Sequence, residues 1–188
     1  ILKDNNIDNK CCLKTDIRNF FNSINPVDFL DHLPIQLKND SILYDLIKQL
    51  LLNKYVRLGN DEIIDETKGL MAGCPLSPFL TNIYLLDLDS FFFNNNITYM
   101  RYSDDIVVFD YDDKILVHFD FIRDYLAQKQ LEVNSSKTAQ YGAGELVVFL
   151  GFSYQKGRID LSSISVQKMK NKIRRLSRSF RRGIERKR

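Results

Sequence analysis

The chain has 188 residues, 44% of them hydrophobic, enough to bury one substantial core, and the expectation is one domain with at most an appendage. Its longest apolar stretches, around ELVVFLGFSY and SFFF, fall well short of the roughly 20 residues of a membrane span. The polar start ILKDNNIDNK has no secretory pattern, so a cytoplasmic protein with no membrane partner is expected. The formal charge of +3 conceals a division: from Ser165 onward 11 Lys and Arg face the single acid Glu185, while the remaining 16 basic and 23 acidic residues leave the body acidic.

In chain order, KCCLKTDI reads as a strand ending near Asp16, with Cys11 and Cys12 pointing to opposite faces. The three cysteines, Cys11, Cys12 and Cys74, have no metal spacing and read as buried thiols; His32 and His118 lack any ligand partner nearby in sequence. Asn25 and Pro26 supply a cap and a first helical position for the short PVDFLDHL. Ile42, Leu43, Leu46, Ile47, Leu50 and Leu51 recur at helical spacing, which predicts a helix with its apolar stripe turned inward. KYVRLGNDEIIDE predicts two short strands about Gly59-Asn60.

After GLMAGCPLSP, Ser77 is the expected cap of a helix with Pro78 in its first turn, continuing through FLTNIYLLDLDSFFF to the Asn94–Asn96 cluster. ITYMRY and IVVFD are expected strands around Ser103, Asp104 and Asp105, followed by a helix over about residues 114–129 with Leu116, Phe119, Ile122 and Leu126 on one face. KTAQY and ELVVFLGFSY, turning at QKGR, complete the strands. Residues 11–141, without the insert before Gly69, then run strand, helix, strand, strand, helix, strand. The fold class is α+β, a ferredoxin-like split βαβ with an antiparallel sheet. In that sheet the first and third strands are neighbours, which brings Asp16 to Asp104 and Asp105. Three such acids need a cation, and hard oxygen ligands favour Mg²⁺ or Mn²⁺. Two such ions, roughly 4 Å apart, suit in-line nucleotidyl transfer.

Five ordered motifs resemble the palm of a reverse transcriptase, of the bacterial kind found in group II introns, retrons and related elements: DIRNFFNSI, GLMAGCPLSPFLTNIYL, YSDD, LEVNSSKTAQY and FLGF. The resemblance implies RNA-directed DNA synthesis with two Mg²⁺ or Mn²⁺ ions, an RNA template, a DNA or RNA primer and deoxynucleotides. By the same resemblance Asp16, Asp104 and Asp105 are the metal ligands, with the carbonyl of Ile17 contributing, and Lys137 is a proton donor to departing pyrophosphate. Phe21 matches a steric gate against the 2′-hydroxyl. Ala72 and Gly73 match the nucleotide-binding loop, Ser77 and Pro78 the helix start that supports the template, and Leu150, Gly151 and Phe152 the primer grip.

SSISVQKMKNKIRRLSRSF resembles the first thumb helix. Val166, Met169, Ile173, Leu176 and Phe180 form an apolar seam, and Lys172 and Arg175 are among the cations for a duplex. The expected division is therefore a palm over 1–162 and the start of a thumb over 163–188. The second motif departs from the common Pro-Gln-Gly at Met71, Ala72 and Gly73, a variation that resembles domesticated or defence-associated relatives. Nothing before Asp16 resembles the fingers, so a palm-centred portion of a longer protein or an oligomer, weakly active alone, is expected. The rival readings are an RNA-dependent RNA polymerase, a nucleotide cyclase and a non-catalytic nucleic-acid-binding scaffold.

Overall fold

The computed structural model describes residues 7–52, 55–57, 63–65, 69–70 and 75–185. The expectations for Met71, Ala72, Gly73, Cys74 and the turn at Gly59-Asn60 lie outside the described residues. Strand β1 (Cys11–Asp16) leads into the short helices α1 (Phe20–Ser23), α2 (Pro26–Asp31) and α3 (Ile35–Asn39), then α4 (Ser41–Leu52). The pair β2 (Tyr55–Arg57) and β3 (Ile63–Asp65) follows, then α5 (Ser77–Tyr84), α6 (Leu86–Asn94), β4 (Thr98–Tyr102), β5 (Asp105–Asp110) and α7 (Asp112–Gln128). The remaining elements are β6 (Ala139–Tyr141), β7 (Val147–Phe149), β8 (Phe152–Gln155), β9 (Arg158–Leu161) and α8 (Ser163–Glu185).

The central sheet has the order β4-β5-β1-β6, antiparallel throughout, which is the split βαβ order expected. Period-two alternation divides β1 and β5 between two cores. Cys11, Leu13, Ile106 and Val108 join the larger cluster beneath the helices. Cys12, Val107 and Phe109 join a smaller one with Val147 and Tyr154 of β7 and β8. The two cysteines are thus buried on opposite faces, and burial pushes the Cys12 thiol up to about 12, which makes it a poor nucleophile. Aromatic rings seal the larger core: Phe91 stacks on Phe121 at 3.8 Å between centroids and Phe92 on Tyr99 at 4.4 Å.

Several local expectations need correction. Asn25 does cap α2, its side chain accepting from the Val27 and Asp28 amides, but the helix ends at Asp31. In α4 only Ile47 and Leu51 of the apolar stripe are fully buried, while Ile42, Leu43 and Leu46 face outward, because α4 meets the core along one narrow edge. The helix after Ser77 is two helices broken at Leu85, and Leu76, not Ser77, stands at the cap position of the first, without a side-chain cap bond. Buried Ser77 is the first helical residue, with Pro78 next to it. In α7 the inward face is Ile115, His118, Ile122 and Leu126; Leu116 is exposed and Phe119 is half-buried, a rotation of about one residue. That rotation lets His118 reach Asp110 at 2.7 Å, a buried pair that explains the isolated histidine without chemistry.

Helix α8 covers the stretch where the basic amphipathic helix is expected. Ser162 caps it, its hydroxyl accepting from the Ser165 amide at 3.2 Å. Beyond this start the seam is largely open to solvent: Met169, Ile173, Leu176 and Phe180 are 53–74% exposed. No helix among the described residues is long and apolar enough to cross a membrane.

Candidate active site

The site lies where β1 ends and β5 begins. Antiparallel pairing sets Asp16 directly opposite Asp105, and the Ile17 amide donates to the Asp104 carbonyl at 3.1 Å, so the register itself joins residues almost ninety apart in sequence. Asp16 and Asp105 share a sheet face with Lys14, whose ammonium donates to the Val148 carbonyl at 2.9 Å and ties β7 to β1. Asp104 belongs to a two-residue turn between β4 and β5 in which Ser103 takes a left-handed φ of 56°.

A buried brace holds that turn. Arg101 donates to the Asp89 carboxylate, to the Asn82 side chain at 3.1 Å and to the Ser103 carbonyl at 3.1 Å, linking α5, α6 and the strained bend. Tyr99 also donates to Asp89, at 2.8 Å. The brace was missed in the sequence because Asp89 lies twelve residues away on a helix and carries no motif. Its only signal is an arginine inside an apolar strand, which needs a buried acid.

Asp16 is held on both carboxylate oxygens. The Asn134 side-chain amide donates to Oδ1 at 2.9 Å and the Lys137 ammonium donates to Oδ2 at 2.8 Å. The Asn134 backbone N–H adds a bond to the Asp16 carbonyl at 2.8 Å, so the loop before β6 is fastened to the end of β1 at two points. The hydrogen bond to the Asp16 carboxylate, and its charge, hold the Lys137 ammonium above its ordinary value. Burial, then the charges of Asp104 and Asp16, raise the Asp105 carboxyl. Asn134 stands in the LEVNSSKTAQY stretch, but its bonds to Asp16, 118 residues away, have no signal in the sequence.

A cleft of about 480 Å³ opens beside these groups, lined by Asp16, Ile17, Phe20, Phe21, Asp104, Asn134 and Lys137 among others. Phe21 is placed there by a tight crossing: the Leu70 amide donates to the Phe21 carbonyl at 2.7 Å, and Gly69 passes so close that a Cβ would sit 2.9 Å from the Asn22 Cα. Gly69 also has a φ of +92°, so glycine is required on both counts. The three acids do gather at one sheet end, but no group of three or more His, Cys, Asp or Glu side chains among the described residues is close enough for a ready metal cage. The Asp16 oxygens accept from Asn134 and Lys137. The donor set itself, hard carboxylate oxygens with a backbone carbonyl nearby, fits a divalent cation.

Leu150 and Gly151 form the turn from β7 into Phe152 at the start of β8, and none of the three lines this cleft. Gly151, at φ +83°, sits against α8: a Cβ would meet the Ser165 hydroxyl at 2.7 Å, and its carbonyl accepts from the Ser162 amide at 2.9 Å. Lys172 and Arg175 are exposed on α8. Ser77 and Pro78 start α5, which carries Asn82 of the Arg101 brace.

This sheet order is that of a polymerase palm fold. Residues 2–154 match the family model described as reverse transcriptase (RNA-dependent DNA polymerase), and the chain belongs to that family, whose members generally use divalent metal ions. The chain is similar to the Retron Ec83 reverse transcriptase of Escherichia coli, 34% identical over 99 residues that cover 50% of this chain and 30% of that enzyme. Among solved structures it resembles apo telomerase from Candida tropicalis (TM-score 0.69, 13% identity, covering 82% of this chain and 32% of that one). It also resembles telomerase from Candida albicans in complex with a TWJ fragment of telomeric RNA (TM-score 0.64, 14% identity, covering 82% and 32%). At such identities the likeness is one of fold, and the chain spans about a third of the length of these relatives.

Proposed function

We propose that this chain is the catalytic palm of an RNA-directed DNA polymerase that extends a DNA or RNA primer on an RNA template with deoxynucleotides. The observation that carries the reading is the in-register pairing of Asp16 with Asp105, with Asp104 lining the same cleft as Phe21 and Lys137. Asp16, Asp104 and Asp105 would hold two Mg²⁺ or Mn²⁺ ions, with the Ile17 carbonyl as a further ligand. Such ions supply charge stabilisation for an attacking 3′-oxygen and for the departing pyrophosphate.

The protein's own groups do the rest. The Phe21 ring closes the cleft wall under the sugar and excludes a 2′-hydroxyl. Lys137, exposed enough to move, neutralises the pyrophosphate and can give it a proton. Ala72 and Gly73 border the nucleotide, and Ser77 and Pro78 support the template. The Leu150-Gly151-Phe152 turn, tied to the cleft through Lys14 and Val148, grips the primer end. Residues 1–162 act as palm, and α8, from 163 onward, begins a thumb whose Lys172 and Arg175 face the duplex backbone.

Primer extension on an RNA template tests this. Slow, Mg²⁺-dependent incorporation of deoxynucleotides is expected, lost in Asp104→Asn, and Phe21→Ala should lower discrimination against ribonucleotides by roughly 10–200-fold. Unchanged sugar discrimination in Phe21→Ala would remove the gate from the reading.

A further inference from the structure

The Asp16 carboxylate already has a cation. Its side chain is 6% exposed and its Oδ2 accepts from Lys137 at 2.8 Å, whereas the Lys137 side chain is 60% exposed. The two partners of Asp16 therefore differ in kind. Asn134 is fixed by its backbone bond to the Asp16 carbonyl and by the Ser136 hydroxyl, which donates to Asn134 Oδ1 at 2.7 Å. Apart from its bond to Asp16, Lys137 is fastened at its backbone, where its amide donates to the Asn134 carbonyl at 3.0 Å, and its four-carbon stem reaches from solvent.

We propose that Lys137 is the exchangeable counter-ion of Asp16: it occupies Oδ2 in the free protein, is displaced by a divalent cation, and is thereby released to face the phosphates. Asn134 is the positioning residue that keeps the carboxylate aimed while its second oxygen changes partner. This rests on the divalent-cation reading of the cleft and adds to it an order of events. The physical ground is competition for one acceptor. An unpaired buried carboxylate is costly, so a chain that must wait without metal gains from an internal cation, and that cation then opposes metal binding. Displacement of Lys137 needs no backbone movement, because only its stem must swing.

The direction of the effect separates this from a structural role, since loss of a merely structural contact would weaken metal binding. Mn²⁺ alone is the probe, with free Mn²⁺ followed by electron paramagnetic resonance. Lys137→Gln should bind Mn²⁺ about three- to tenfold more tightly than wild type, the modest size reflecting a half-exposed pair. Lys137→Arg, which keeps the cation, should stay at the wild-type affinity, and Asn134→Ala should bind more weakly. In the wild type, acetylation of Lys137 read by mass spectrometry should rise when Mn²⁺ is added, a measurement that stands even if the Gln variant fails to fold. Equal or weaker binding by a folded Lys137→Gln, or Lys137 labelling indifferent to Mn²⁺, overturns the exchange alone. Binding indifferent to both Asp16→Asn and Asp104→Asn overturns the metal reading itself.

Discussion

At the end of the central sheet the Asp16 carboxylate and the bend before Asp105 are held by groups from elsewhere in the chain; along α8 the described cations stand exposed. Asp16 is fixed by register with Asp105, by Asn134 and by Lys137, and the turn carrying Asp104 is clamped by Arg101. Helix α8 presents Met169, Ile173, Leu176 and Phe180 to solvent on one side and its cations on the other. The first region has its geometry before any ligand arrives, which is what positioning reacting groups demands. The second has periodicity and charge but, past its start, an exposed seam, so under the proposed reading its contribution would be long-range attraction.

That contrast can be broken by substitution. The largest effect should come from Asp16→Asn, which leaves the strand pairing intact yet lowers nucleotidyl transfer by at least about 100-fold, read in primer extension against an unchanged melting curve. Next is Arg101→Leu, which leaves Asp89 and the Ser103 carbonyl without their cation; denaturant unfolding should show a loss of about 3 kcal/mol, with the turn at Asp104 loosened and activity falling with it. The smallest effects should come from α8. Ile173→Ser or Leu176→Ser should shift stability by no more than about 0.5 kcal/mol, as for surface sites. Lys172→Ala and Arg175→Ala should each reduce the salt slope of duplex binding by about one without altering the melting curve. A loss of several kcal/mol from Leu176→Ser would mean that α8 packs like the sheet end after all.

What could be read from the sequence follows the same division. Strand alternation and the order of elements sufficed to bring Asp16 to Asp105, because in a split βαβ sheet only one neighbour relation joins the first and third strands. The faces of helices were less legible. Leu116 was expected inward where Ile115 is, since the aromatic packing of Phe91, Phe92 and Phe121 sets the rotation of α7 and no local spacing encodes it. The break at Leu85 likewise has no Gly or Pro to announce it. Asn134 and Arg101 were hidden for another reason: their work consists of hydrogen bonds to residues far along the chain, Asp16 in one case and Asp89 in the other. The acids were visible as chemistry, but the groups that hold them were visible only as structure.

The central claim is that Asp16 and the Asp104-Asp105 turn bind divalent metal together, and iron-directed cleavage tests it most directly. With Fe²⁺ substituted into the protein and hydroxyl radicals generated by ascorbate and peroxide, the backbone should be cut near residue 16 and near residues 104–105 in parallel, with both cuts suppressed by Mg²⁺. Cutting at only one of the two segments, or cuts that Mg²⁺ does not suppress, would contradict a shared site.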